Sequence, residues 1–167
     1  MRKNSGFSII ELMVAIGIIA IIVSIGVPSL LSYREKAKLG GFARDVYGIF
    51  QKAKMEAVRR NQNCTVGFGQ PGCDYVLFID DNGAPDQVYD PATENDPALT
   101  YCLNRPPGIA DSFDNFPGTY IIFANNGLPV DKNDAPAKGD VHLTSKARES
   151  VVSISLTGNV KIEKYPE

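Results

Sequence analysis

A long apolar run follows the first six residues of this 167-residue chain. Between Phe7 and Leu31, Glu11 is the one ionisable side chain. A helix of roughly 20 apolar residues crosses the hydrocarbon core of a membrane, so this run is long enough to span it. A glutamate in hydrocarbon costs on the order of 2.5 kcal/mol or more. We therefore predict a membrane-spanning helix in which Glu11 has a function.

The basic leader in front of this run is unlike that of a secretory signal peptide. Arg2 and Lys3 precede Gly6, and the apolar residues begin directly after this glycine. A signal peptide is cut after its apolar region, at an Ala-x-Ala-like site. A cut after Gly6 would instead remove the charges and keep the apolar helix.

Residues 6–12 read Gly-Phe-Ser-Ile-Ile-Glu-Leu and resemble the processing site of type IV prepilins and type II secretion pseudopilins. In that family a membrane peptidase cleaves after the glycine and methylates the new N-terminal phenylalanine, and the mature subunits polymerise into a helical filament. The resemblance implies cleavage between Gly6 and Phe7, N-methylation of Phe7 and a role for Glu11 in assembly. A proline at the position of Pro28 is also usual in the family, near a segment that can lose helicity on assembly.

We expect the helix to continue beyond the membrane to about Asn61. Pro28 lacks a backbone donor and predicts a kink, and Gly40-Gly41 costs about 2 kcal/mol relative to alanine. In the second half of the helix, apolar residues recur at spacings of three and four, which places them on one face. These residues are Leu39, Phe42, Val46, Ile49, Phe50, Ala53 and Ala57.

After Asn61 the pattern changes to short β-rich runs separated by turns. The predicted strands are Thr65–Phe68, Tyr75–Ile79, Leu99–Leu103, Tyr120–Ala124, Val141–Thr144, Val151–Leu156 and Val160–Glu163. Asn126-Gly127 and Thr157-Gly158-Asn159 predict tight turns. The fold class is therefore α+β: one long helix, followed by an antiparallel meander packed on its C-terminal half.

The second part of the chain most resembles the H-type pseudopilins and the related minor pilins with FimT-like domains. Residues 53–62 are similar to the end of their helix, and residues 154–162 are similar to their final hairpin. The resemblance implies a pilin-like fold in four segments. These are a leader of residues 1–6 that prepilin peptidase removes, a transmembrane and polymerisation helix of residues 7–31, an amphipathic stem of residues 32–61, and a β-rich periplasmic head of residues 62–167.

The function that the resemblance implies is a minor (H-type) pseudopilin of a type II secretion pseudopilus, or a minor type IV pilin. Such a subunit crosses the inner membrane once with its N-terminus in the cytoplasm, and its partners are other pilin subunits and prepilin peptidase. The alternatives are a membrane-anchored periplasmic binding module that does not polymerise, and a minor pilin for DNA uptake.

The charges of the chain are distributed unevenly. Residues 34–60 carry a net charge of +5, whereas residues 62–167 carry −8. Affinity for nucleic acid depends on Lys and Arg, and DNA-binding relatives carry arginines in the hairpin where this chain has Asn159 and Lys161. We therefore expect that nucleic acid is not the partner. The basic stem of one subunit could attract the acidic head of another. Alternatively, both charged surfaces are simply solvated.

Three cysteines, Cys64, Cys73 and Cys102, allow one disulfide and one free thiol in an oxidising compartment. Antiparallel pairing of Tyr75–Ile79 with Leu99–Leu103 would bring Cys73 near Cys102. A bridge between Cys64 and Cys73 and three buried thiols are the alternatives.

The sequence contains no nucleophile motif and no phosphate-binding loop, so we expect neither an enzyme nor a cofactor. Asp80, Asp81 and Asp86 are weak candidates for a calcium site, but their order does not match that of an EF-hand. Turn formation alone explains these residues, and we predict no bound metal. His142 has no second ligand nearby in sequence and is expected to be structural.

Overall fold

The computed structural model of this protein describes residues 8–70, 72–79, 100–146 and 148–164. The chain forms two compact units, the N-terminal unit of residues 1–37 and the C-terminal unit of residues 38–167. Helix α1, Ile9–Arg60, contributes residues to both units. The helix is uninterrupted at Pro28 and at Gly40-Gly41, and the kink at Pro28 stays a prediction.

Helix α1 ends close to the predicted position, in a Schellman motif. Asn61 adopts a left-handed conformation with φ 54°. The backbone N–H of Gln62 donates to the carbonyl of Ala57 at 3.2 Å, and that of Asn61 donates to Val58 at 3.4 Å. These bonds satisfy carbonyls that the end of a helix leaves without partners. Asparagine tolerates the left-handed conformation better than most residues, so the sequence stops the helix here.

The predicted apolar face of the second half of α1 is confirmed within the C-terminal unit. All seven residues of that face are at most 4% exposed, and the largest of them are Phe42 and Phe50. Burying a side chain of this size stabilises a fold by about 1.5–3 kcal/mol. The helix is therefore fixed to the unit along one side.

In the described part of the chain, nine β-strands follow the helix. They are β1 Cys64–Gln70, β2 Cys73–Phe78, β3 Tyr101–Leu103, β4 Ala110–Asp114, β5 Tyr120–Phe123, β6 Pro129–Val130, β7 Gly139–Ser145, β8 Arg148–Ile154 and β9 Val160–Lys164. They form two antiparallel sheets among the described residues, which we call sheet A, in the order β3-β2-β1-β5-β6, and sheet B, in the order β4-β7-β8-β9. The helix and both sheets share one hydrophobic core. The predicted pilin-like α+β architecture is thereby confirmed.

The predicted path of a simple meander is wrong. The chain leaves sheet A after β3, enters sheet B as β4, and returns to sheet A as β5, which pairs with β1. Strands β4 and β6 were not predicted from the sequence. Strand β4 reads Ala-Asp-Ser-Phe-Asp and directs one large apolar side chain, Phe113, towards the core. Strand β6 has two residues, one of them Pro129, at the edge of its sheet.

The two predicted tight turns are present. The N–H of Gly127 donates to Ala124 at 2.7 Å, and the N–H of Gly158 donates to Ser155 at 2.8 Å. Both glycines have positive φ, 77° and 72°, which side chains rarely adopt. The turns approach each other closely, since a Cβ on Gly158 would lie 2.9 Å from the carbonyl oxygen of Gly127.

Phe68 on β1 connects the parts of the core. Its ring stacks on Phe113 of sheet B with centroids 4.5 Å apart, and it meets Phe50 of the helix edge-on at 6.3 Å. Phe116 lies 4.8 Å from the same ring. Aromatic pairs with such geometries contribute about 0.5–1.5 kcal/mol each beyond the area they bury. This cluster joins the helix and both sheets.

We predict that Gly139→Ala destabilises the C-terminal unit. A Cβ at this position would overlap the ring of Phe116, which would have to leave the aromatic cluster. Overpacking of this kind costs about 1–3 kcal/mol. Thermal unfolding of the purified protein in detergent measures the loss.

Gly48→Ala is the matched control, because a Cβ there meets nothing within 4 Å and the position is helical. This control should leave stability unchanged or raise it by up to about 1 kcal/mol. Equal stability of Gly139→Ala and the wild type would show that Phe116 is not held by the cluster.

Candidate functional site

The N-terminal unit presents an apolar helix surface in all directions. In residues 8–34 every described side chain is exposed, and Ile, Val, Leu and Met supply most of that surface. Among the described residues, α1 is the helix that is long and apolar enough to cross a membrane. A helix that is hydrophobic all round belongs in a membrane or inside a protein. This segment is therefore the first candidate for a functional surface.

Glu11 lies in the first turn of α1. Its backbone N–H donates to the carbonyl of Ser8 at 3.1 Å, and that of Leu12 donates to the same oxygen at 3.2 Å. A carboxylate in the first turn of a helix interacts favourably with the helix dipole. The predicted processing residues Gly6 and Phe7 lie outside the described residues. The proposed roles of Gly6, Phe7, Glu11 and Pro28 stay predictions.

Cys73 and Cys102 form a disulfide between β2 and β3, with their Cα atoms 5.6 Å apart. The two strands pair antiparallel, as predicted, with Cys102 opposite Val76. The bridge joins residues 29 positions apart in sequence. A loop of about 30 residues closed in this way contributes about 3–4 kcal/mol by restricting the unfolded chain.

Cys64, the third cysteine, is a free thiol and is completely buried at the start of β1. Burial raises the pKa of this thiol from its ordinary 9.0 to about 11, and the nearby carboxylate of Glu56 acts in the same direction. The thiolate is the reactive form of cysteine, so Cys64 is unreactive at neutral pH.

A partly buried polar network connects the two sheets and was not predicted from the sequence. The hydroxyl of Tyr75 on β2 donates to Asp111 on β4 at 2.9 Å, and Asp111 also forms an ion pair with Arg105. Burial, followed by the charge of Asp111, raises the pKa of Tyr75 well above its usual range. The tyrosine therefore stays a neutral donor, and the network fixes sheet A to sheet B.

His142 on β7 contacts a carboxylate through each ring nitrogen. Nδ1 lies 2.5 Å from Glu149 on β8, and Nε2 lies 3.2 Å from Asp114 on β4. The three residues connect neighbouring strands of sheet B, so His142 has a structural role in the sheet.

No group of side chains suited to holding a metal occurs in the described part of the chain. The weak calcium candidates Asp80, Asp81 and Asp86 lie outside the described residues, and the prediction about them stays open. At the final hairpin, where DNA-binding relatives carry arginines, Asn159 and Lys161 are exposed.

Two family models match this chain. The model described as "Type II transport protein GspH" matches residues 43–158, and the model described as "Prokaryotic N-terminal methylation motif" matches residues 1–27. The first match covers most of the chain, from Ala43 in α1 through strand β8. The chain therefore belongs to the GspH family: it is a minor pseudopilin of type II secretion or a minor type IV pilin.

A curated protein and two solved structures are similar to this chain. The prepilin peptidase-dependent protein D of Escherichia coli (strain K12) is 56% identical over 39 residues, which are 23% of this chain and 27% of that protein. The chain thus matches only about a quarter of that relative's length. Two crystal forms of the type IV minor pilin FimU from Pseudomonas aeruginosa (strain PAO1) share the fold, with TM-scores of 0.58 and 0.50. They are 17% and 16% identical, and the matches cover 78% and 72% of this chain and 92% and 89% of those chains.

Family membership has three consequences. The protein is structural and not an enzyme, as the sequence predicted. The family implies assembly with pilin subunits and processing by prepilin peptidase. An apolar N-terminal helix that carries a methylation motif is consistent with anchoring in the inner membrane.

We predict that labelling the denatured, unreduced protein finds one reactive thiol per chain. The reason is that Cys73 and Cys102 are bridged, which leaves Cys64. Mass spectrometry after alkylation counts the thiols. Under native conditions Cys64 should label far more slowly, because it is buried.

Cys64→Ala is the control and should contain no reactive thiol without reductant. Three labelled thiols in the wild type would exclude the disulfide, and dimers on a non-reducing gel would place it between chains.

Proposed function

We propose that this chain is a subunit of an inner-membrane-based filament composed of several kinds of pilin subunit. One observation carries the proposal: a methylation motif matches residues 1–27, which overlap the helix whose apolar side chains are exposed in all directions. Such a helix is soluble in lipid before assembly, and in a filament it can pack among the same helices of neighbouring subunits. Both environments are apolar, so the transfer requires little change in solvation.

Processing divides the precursor between Gly6 and Phe7 in this proposal. Prepilin peptidase removes residues 1–6 and methylates the amine of Phe7, so that Glu11 becomes the fifth residue of the mature chain. Residues 7–31 then form the transmembrane and polymerisation helix, residues 32–61 the stem and residues 62–167 the head. Removing Arg2 and Lys3 takes two charges from a helix end that must enter an apolar filament core.

Glu11 neutralises the α-amine of Phe7, its own or that of a neighbouring subunit. An isolated carboxylate and an isolated ammonium are both costly in hydrocarbon, and pairing offsets much of that cost. The exposed position of Glu11 in the first turn supports this role, since nothing in the described helix surrounds the carboxylate. Pro28 belongs to the same assembly segment.

The mature protein crosses the membrane once, with its N-terminus in the cytoplasm and its head in the periplasm. The bridge between Cys73 and Cys102 supports this orientation, because disulfides form and persist in the periplasm and are rare in the cytoplasm. The partners are other pilin subunits and prepilin peptidase. Nucleic acid is not a partner in this proposal, since residues 62–167 carry a net charge of −8.

We predict that Gly6→Glu blocks processing, because a large charged side chain replaces the residue next to the scissile bond. The precursor should remain inserted in the membrane and unassembled. The mass of the purified protein measures the outcome: the wild type should begin at N-methylated Phe7, and the variant at Met1.

Ser5→Ala is the control for a change in the leader and should be processed normally. Normal maturation of Gly6→Glu, or a wild-type protein that keeps Met1, would favour the anchored binding module that does not polymerise.

We predict that Glu11→Ala and Glu11→Gln lower incorporation into filaments without lowering membrane abundance or cleavage. Removing a charge from the apolar helix makes insertion easier, by about 2.5 kcal/mol or more. The incoming amine would, however, enter the filament without its partner. The measurement is the amount of this subunit in sheared filaments, compared at equal membrane abundance.

Ser24→Ala is the matched control, because it removes a polar group from the same helix, and among the described residues the Ser24 hydroxyl bonds only to the carbonyl of Ile21. Its incorporation should equal that of the wild type. Equal incorporation of the Glu11 variants would show that Glu11 is not the assembly contact.

A further inference from the structure

The exposed side of α1 in the C-terminal unit contains glycines that the fold does not need. At Gly40, Gly41 and Gly48 a Cβ would meet nothing within 4 Å. All three lie inside the helix, where glycine costs about 1 kcal/mol relative to alanine. Because these positions carry no side chain, a neighbouring molecule can approach the helix backbone closely there.

Two surface cavities lie beside Gly40 and Gly48 and share one residue, Arg44. The first, of about 390 Å³, lies between the helix at Gly40 and the strands β8 and β9 of sheet B. The second, of about 290 Å³, lies between Gly48, Lys52 and Tyr101 on β3. We call the two cavities together the Arg44 groove. The groove is entirely within the C-terminal unit.

The Arg44 groove contains polar groups that the described fold leaves without partners. Arg44 is exposed and has no hydrogen-bond or ion-pair partner among the described residues. Ser150, which lines the first cavity, is 4% exposed, and its hydroxyl has no hydrogen-bond partner in the described part of the chain. Buried hydroxyl groups are almost always satisfied, so this one is available to a group that enters the cavity. In the second cavity the ammonium of Lys52 lies 4.6 Å from the ring centre of Tyr101.

The charge of the groove selects an anionic occupant. Arg44 and Lys52 lie two turns apart on the same side of the helix, and Asp45 is the one acid among the described residues of the lining. A guanidinium binds a carboxylate through two parallel hydrogen bonds, which makes Arg44 the expected anchor.

The opposite charge occurs on the outer surface of sheet B. Strand register places Asp114, Asp140, Glu149 and Glu163 on the side that faces away from the core, together with His142 and Lys161. The inner side of the same strands carries Val141, Val152 and Ile162. We call this outer surface the carboxylate face.

We propose that the Arg44 groove of one copy of this chain binds the carboxylate face of a second copy. The two surfaces are different parts of the molecule, so the contact is head-to-tail and leaves each copy with one surface free. Contacts of this kind produce open helical assemblies when the rotation does not close a ring. The inference rests on the proposed filament function and names the surfaces through which the C-terminal units meet.

The test uses full-length protein carrying two different tags, co-expressed and extracted in mild detergent. The groove variant combines Arg44→Glu with Lys52→Glu, and the face variant combines Asp114→Lys with Glu163→Lys. Each variant alone should lower copurification of its two tagged copies about tenfold, because like charges then meet at the contact. Combining all four changes in one chain should restore copurification of its two tagged copies, because an acidic groove then meets a basic face and neither native surface remains.

Lys132→Glu is the control for a charge reversal on an exposed turn outside both surfaces, and its copurification should not change. Thermal unfolding of each variant separates loss of contact from loss of fold, and the rescue is itself evidence that both variants fold. Copurification unaffected by either variant, or lowered without rescue, would overturn the proposal. Loss of association with other pilin subunits while self-association persists would also overturn it. The proposed filament function is tested separately, by the incorporation of the Glu11 variants into filaments.

Discussion

The structure depends on one helix that satisfies two different hydrophobic requirements along its length. Residues 9–31 are apolar on every side, which suits lipid or the interior of a bundle. From Leu39 onwards the buried apolar residues occupy a single stripe, which suits packing against a sheet on one side and water on the other. A stripe in lipid would expose charge to hydrocarbon, and an all-round apolar surface in water would aggregate. The all-round pattern therefore suits residues 9–31 to an apolar environment, and the one-sided stripe suits the helix after Leu39 to the boundary between a protein core and water.

The stripe also holds the two sheets in one core. Phe42, Phe50 and their neighbours present a surface that sheets A and B both contact, with Phe68 between them. One core therefore receives side chains from the helix and from both sheets. The bond from Tyr75 to Asp111 then joins the sheets at a point where neither backbone pairs with the other.

Sequence patterns predicted the parts of this fold that depend on local or periodic signals. The helix face followed from its period, the end of the helix from the change to β-rich runs after Asn61, and the hairpin turns from Gly127 and Gly158. Strand β4 was missed because its sequence is short and mostly polar, and its pairing with β7 depends on residues about 30 positions away. The Arg44 groove was not predictable either, because Ser150 and Tyr101 reach the helix only through the tertiary fold. The processing motif could be recognised without a structure, because its residues are consecutive in the sequence.

The residues proposed to act in assembly and the residues that form the core lie in different parts of the chain. The described contacts of Glu11 are local to the first turn, whereas the core lies in residues 39–160. Changes at Glu11 therefore leave the C-terminal unit folded, and changes in the aromatic cluster leave the methylation motif intact. The groove differs from both, because its glycines lower helix stability and its Arg44 guanidinium has no hydrogen-bond or ion-pair partner among the described residues. Selection for stability alone would replace Gly48 with alanine, so the benefit of these residues is expected to come from contact with another subunit.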